Sequence, residues 1–103
     1  MTVFDIAEFL DWQKSSGLNE YIFDSDNNDW LTSCCFHVCM RFPTVSVSMA
    51  FHRIIFQNGN NYLDLEHVKE IILYDDCDTV GTVFDVVCEP TDGQKKCWRF
   101  LAD

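Results

Sequence analysis

The sequence predicts an α+β fold: an N-terminal helix packed on an antiparallel sheet of about six strands, arranged as a meander of hairpins. Three observations predict it. Apolar residues recur at helical spacing near the start of the chain. From Leu31 onward they alternate with a period of two. Asn-Gly, Gly-Asn and Asp-Gly pairs then punctuate the second half, where hairpin turns need residues that accept positive φ. The 103 residues make one domain, 1–103, with a helix over 2–16 and a β-rich body over 20–103. A chain of this length buries roughly two thirds of its unfolded surface, enough for one core without metals or disulfides.

The helix rests on Val3, Ile6, Ala7 and Leu10, which form one stripe that Phe9 widens. Thr2 with Asp5 three residues on resembles a capping box, and Gly17 followed by Leu18 is a glycine stop. A 100° wheel leaves Phe4 and Trp12 off the stripe, among Asp5, Glu8 and Asp11. Either later chain, such as Tyr21-Ile22-Phe23, folds over these aromatics, or Trp12 is an exposed anchor ringed by carboxylates.

Tyr21–Phe23 reads as a short strand, followed by a polar loop from Asp24 to Asp29. Residues 32–42 alternate as a strand that Pro43 breaks or places at an edge. Val45, Val47, Met49 and Phe51 have the opposite parity to Ile54 and Phe56, so a bulge or turn is expected near His52–Arg53. In the next hairpin a Gly59-Asn60 turn pairs Phe56 with Leu63 and Ile54 with Leu65, matching apolar with apolar. An Asn58-Gly59 turn would instead oppose Phe56 with Asn61. Leu65, Val68 and Ile72 also fit a helix, but Ile71-Ile72-Leu73-Tyr74 favours a strand from about Lys69. Asp75-Asp76-Cys77-Asp78 makes an acidic turn and Gly81 opens the next strand. An Asp92-Gly93 turn would set Glu89 opposite Lys96 and Cys88 opposite Cys97, a geometry in which a cross-strand disulfide is conceivable.

The chain carries 17 acids against 7 bases, a formal net charge of −10. Residues 1–30 hold seven acids and one base, 31–60 hold two bases and no acid, and 61–103 hold ten acids and four bases. This balance repels phosphate backbones and anionic membranes and attracts basic protein surfaces. The nine Phe and three Trp set the chain apart from disordered acidic chains, which are poor in aromatics. No run approaches a membrane-spanning length, and the N-terminus lacks a basic start before an apolar stretch, so a cytosolic protein with reduced thiols is expected.

Chemistry-bearing motifs are weak. Cys35, His37 and Cys39 share a strand face beside Cys34, but a one-residue spacing with no downstream Cys pair argues against zinc; Cys77 is a conceivable fourth ligand. Asp24, Asp26 and Asn28 match the start of a calcium loop that then fails at Asp29 and Cys35. His37, His52 and His67 are scattered, and glycine-rich phosphate loops are missing. No cofactor and no enzymatic activity are expected.

Compact, acidic, motif-free chains of this length resemble the small inhibitors carried by phages and mobile elements, anti-CRISPR proteins among them. The resemblance rests on size, charge and the lack of catalytic motifs, so it transfers no residue. It implies a non-enzymatic protein of the host cytosol that occupies a basic, nucleic-acid-binding surface of a target enzyme. The residues expected to meet such a partner are Glu8, Asp11, Trp12, Asp24, Asp26, Asp29, Trp30, Asp75, Asp76 and Asp78. The alternative is a general interaction module or small homo-oligomer, acidic for solubility, pairing through sheet edges.

Overall fold

A computed structural model describes residues 1–28, 30, 37–74 and 81–103. Within them the chain runs β1 (Thr2–Phe4), α1 (Ile6–Ser16), β2 (Tyr21–Asp24), a 3₁₀ turn (Ser25–Asn27), β3 (Cys39–Phe42), β4 (Thr44–Ser48), β5 (Arg53–Asn58), β6 (Asn61–Leu65), β7 (Val68–Tyr74), β8 (Thr82–Cys88) and β9 (Lys96–Ala102). The fold is α+β with antiparallel pairing throughout. In place of one sheet of about six strands there are two sheets. The larger has the order β1-β7-β8-β9-β2-β3 and the smaller β4-β5-β6, so only β7-β8-β9 and β4-β5-β6 are simple meanders. The start of the 32–42 strand and the Asp75–Asp78 turn lie outside the described residues.

The helix begins later than its periodicity predicts. Thr2–Phe4 instead pair with Ile71–Leu73 at the sheet edge. Asp5 is then the N-cap: its Oδ1 accepts from the Glu8 amide at 2.8 Å, and Glu8 Oε1 accepts from the Asp5 amide at 3.0 Å. This is a complete capping box one turn beyond the Thr2–Asp5 pair. Gly17 ends the helix in the left-handed region, with φ of 70°. The later start changes the apolar face. Ile6 and Phe9 are buried with Trp12 partly covered beside them, while Val3 and Ala7 are exposed. Trp12 therefore belongs to the packed side, its ring 5.9 Å from Phe9, 5.8 Å from Phe4 and 6.2 Å from Phe84. Phe84 of β8 meets it edge-on, and Phe84 in turn meets Tyr21 at 6.2 Å.

Pro43 separates the two sheets, and the parity conflict resolves in a turn over residues 49–52, where His52 takes a φ of 50°. Met49 and Phe51 consequently leave the strand pattern and are exposed. Gly59-Asn60 turns the next hairpin, with Phe56 opposite Leu63 and Ile54 opposite Leu65. Gly59, with φ of 59°, supplies the conformation a first central hairpin position needs. The inner faces of the two sheets meet in an aromatic core. Phe56 of the small sheet lies 4.1 Å from Phe100, 5.6 Å from Tyr21 and 6.0 Å from Phe42 between ring centroids.

The β8–β9 hairpin is one residue out of the expected register. Cys88 opposes Lys96, Val87 opposes Cys97, and residues 89–95 form a wider loop around Asp92-Gly93. The reason is parity. This register sets Phe84 against Phe100 and Val86 against Trp98 on the core face, and Asp85 against Arg99 on the other. The two-residue turn would have mixed the faces. Cys88 and Cys97 now point to opposite faces, and both are free thiols. Glu89 pairs with Lys69 at 2.8 Å rather than with Lys96.

Candidate functional site

The structure gathers three of the ten candidate residues, Asp24, Asp26 and Trp30, into one corner where β2 ends and β9 passes. Asp24 closes its strand and caps the 3₁₀ turn, its Oδ1 accepting from the Asp26 amide at 3.0 Å. The same oxygen lies 2.7 Å from His37 Nε2, and Asp26 Oδ2 lies 3.5 Å from that nitrogen. The amide of Asp26 and then the His37 ring hold the Asp24 carboxyl below its ordinary range. The hydrogen bond to Asp24, with the charge of Asp26 behind it, raises His37 above the usual imidazole value. A protonated His37 therefore offsets part of the acidity of this corner.

Asn28 connects the corner to the sheet. Its buried side chain donates to the carbonyls of Asp24 (2.8 Å) and Arg99 (3.3 Å) and accepts from the Arg99 amide at 2.7 Å. These bonds occupy the amide that the calcium-loop pattern would have aimed at an ion. Trp30 Nε1 donates to the Cys97 carbonyl at 2.9 Å. Its ring meets Trp98 edge-on at 4.6 Å, and Lys96 Nζ sits 5.1 Å from it. Asn27, Asn28, Trp30, Asp85, Cys97 and Arg99 line a shallow cleft here of about 180 Å³.

Under that cleft lies a network that sequence reasoning missed. The Asp85 carboxylate, only 7% exposed, accepts from Tyr74 Oη at 2.7 Å, Arg99 Nε at 2.8 Å and Arg99 Nη2 at 3.1 Å. The guanidinium also covers the Tyr74 ring at 5.0 Å. Burial, then the bond to Asp85, raises the Tyr74 hydroxyl, and Asp85 holds Arg99 firmly protonated. The available signal was one acid inside the apolar run Val83–Cys88, which needs a partner once buried.

The other candidates lie elsewhere. Glu8 is spent on the capping box, Asp11 is exposed on α1, and Trp12 is half covered by aromatic neighbours. Asp29, Asp75, Asp76 and Asp78 lie outside the described residues, as do Cys34, Cys35 and Cys77 of the zinc reading. Several acids are already paired within the chain: Glu20 with Arg41 at 2.9 Å, Asp64 with Arg53 at 3.0 Å, Glu66 with Arg53, and Glu89 with Lys69. Asp24, Asp26 and His37 place their ligand atoms within 4.8 Å of one another, as their ion pairing requires. Cys39 and Cys97 are exposed thiols, while burial pushes Cys88 up to about 11, far from a thiolate nucleophile. No described helix is long and apolar enough to cross a membrane.

No family model, curated protein or solved structure matches this chain.

Proposed function

We propose that this chain is a non-enzymatic binding protein that engages a basic surface on another protein, in its sharpest form the nucleic-acid-binding surface of an enzyme. The observation that carries this reading is the net charge of −10 on 103 residues. Such a surplus steers encounter with cationic surfaces and makes affinity fall with salt. Four of the seven bases are committed within the chain: Arg41 and Arg53 to surface acids, Lys69 to Glu89 and Arg99 to Asp85. Asp11, Asp26 and the corner around Trp30 are the accessible contacts that this reading assigns to the partner, together with Asp29, Asp75, Asp76 and Asp78.

A second reading, a general interaction module, is favoured by one feature. Met49 and Phe51 stand exposed on the β4–β5 turn, with Phe51 75% accessible, and such side chains suit an apolar contact that salt does not weaken.

Charge reversal separates the two. Lysine at positions 24, 26 and 29, and separately at 75, 76 and 78, should abolish retention of a captured partner while circular dichroism shows the fold intact. Unchanged retention by both triple variants contradicts the electrostatic reading. A loss confined to Phe51→Ser moves the function to the turn.

A further inference from the structure

The backbone of β3 points to a specific mode of engagement. In the β2–β3 ladder the Ser25 amide donates to the Val38 carbonyl at 2.8 Å, which marks Ser25 and Val38 as a hydrogen-bonded pair. Antiparallel pairs alternate, so Met40 and Phe42, opposite Phe23 and Tyr21, also bond to β2. The other side of β2 agrees: Glu20 exchanges both backbone bonds with Asp103, at 3.1 and 3.0 Å. The amides and carbonyls of Cys39 and Arg41 therefore face away from the sheet. Among the described residues no strand pairs with β3 on that side. One of these groups, the Arg41 carbonyl, accepts from the Asn58 side chain at 3.1 Å, so the edge already binds an amide in the place of a neighbouring strand.

Alongside this edge runs a groove of about 530 Å³, between β3 and the β5–β6 hairpin. Asn58, Asn60, Asn61 and Tyr62 form its far wall, side chains that both donate and accept and so suit a peptide backbone. Charge selects the occupant. A second copy would bring another −10 against the first and repel it. A cationic segment meets no such penalty. Asp24 stands opposite Cys39 in the ladder, so an added strand would lie about 10 Å from it, two strand spacings away, within reach of a lysine or arginine side chain. The two bases near this edge are each paired within the chain, Arg41 with Glu20 at 2.9 Å and His37, in the segment entering β3, with Asp24 at 2.7 Å, so a lysine or arginine of the partner would share Asp24 with His37.

We propose that β3 is a strand-addition edge and that an extended, Lys- or Arg-bearing segment of a partner protein adds to it as a seventh strand along the Asn58–Tyr62 groove. This proposal rests on the reading that the partner is basic, and adds where and in what conformation it docks.

The probe is a capped peptide alternating lysine and valine, with a glutamate-valine peptide as control. On adding the lysine peptide, amide exchange at Cys39 and Arg41 should slow about tenfold, as for newly formed backbone hydrogen bonds. Cys39→Pro removes an outward donor without touching the β2 ladder and should weaken binding about tenfold. A lysine peptide N-methylated along one edge should weaken it equally, and tests the same contact with the protein unaltered. Salt-sensitive binding that leaves Cys39 and Arg41 unprotected overturns the strand-addition edge while leaving the basic-partner reading standing. Equal binding of the glutamate peptide overturns the basic-partner reading and the choice of a cationic occupant. Protection of the same amides by self-association, seen as a dimer in sedimentation without peptide, overturns the choice of occupant.

Discussion

His37 is the residue whose chemistry can be read most directly in solution. Its side chain is 55% exposed, yet Asp24 and Asp26 raise it above 6.5 because its protonated form closes an ion pair between β2 and the segment entering β3. A raised folded value fixes the sign: the stabilisation is complete below the unfolded value and is lost as pH rises through the folded one. Toward acid it persists until Asp24, itself held low, takes up its proton. His37→Gln should therefore lower the melting temperature at about pH 5.5 and leave it nearly unchanged at about pH 8.5. Melting curves of the parent and variant at the two pH values check this; an equal loss at both means that the ring acts by packing alone. Nothing in the local sequence marked this contact. His37 lies 13 residues from Asp24, and reading it with Cys35 and Cys39 as a possible zinc face hid its carboxylate neighbours.

At the scale of elements, periodicity and turn chemistry carried much of the reading, and each departure has a local cause. The Gly59-Asn60 hairpin and its register follow from matching Phe56 with Leu63, because a turn one residue earlier, at Asn58-Gly59, would have put Phe56 opposite Asn61. The β8–β9 hairpin used the same kind of signal, Asp92-Gly93, and came out one residue off. There the faces of Phe84, Val86, Trp98 and Phe100 outweighed the preferred two-residue turn, and a longer loop absorbed the difference. The helix start moved because Thr2–Phe4 found a pairing edge on β7, which no local pattern announces. The observed β8–β9 register is what brings Asp85 and Arg99 together, and it can be tested there. Asp85→Ala leaves the Tyr74 hydroxyl and Arg99 without their acceptor and should cost about 2 kcal/mol in urea unfolding. Asp85→Asn, which keeps an acceptor, should cost less. No change in either variant would contradict the pairing.

For the molecule as a whole, composition correctly indicated a chain that folds around aromatics despite its charge, and missed how that core is divided. Phe42-Pro43-Thr44 carries the chain from one sheet into the other, and Phe56 then packs on Phe84 and Phe100 across the interface. An alternating pattern reports which face of a strand is buried, and says nothing of which sheet the strand joins. The same gap applies to the candidate site. The sequence placed Glu8, Asp11 and Trp12 on the helix and Asp24 and Asp26 in one loop, but only the fold seats Trp30 against Cys97 and Trp98 beside that loop and commits Glu8 to the helix cap. Long-range charge is a property of the whole surface, so its test belongs at this scale. The most direct one is affinity capture from the lysate of the source cell, washed in steps of rising salt, with released proteins identified at each step. The account predicts a nucleic-acid-binding protein that releases as salt rises, since screening removes the steering field. Recovery of the chain alone, or of partners indifferent to salt, would contradict it.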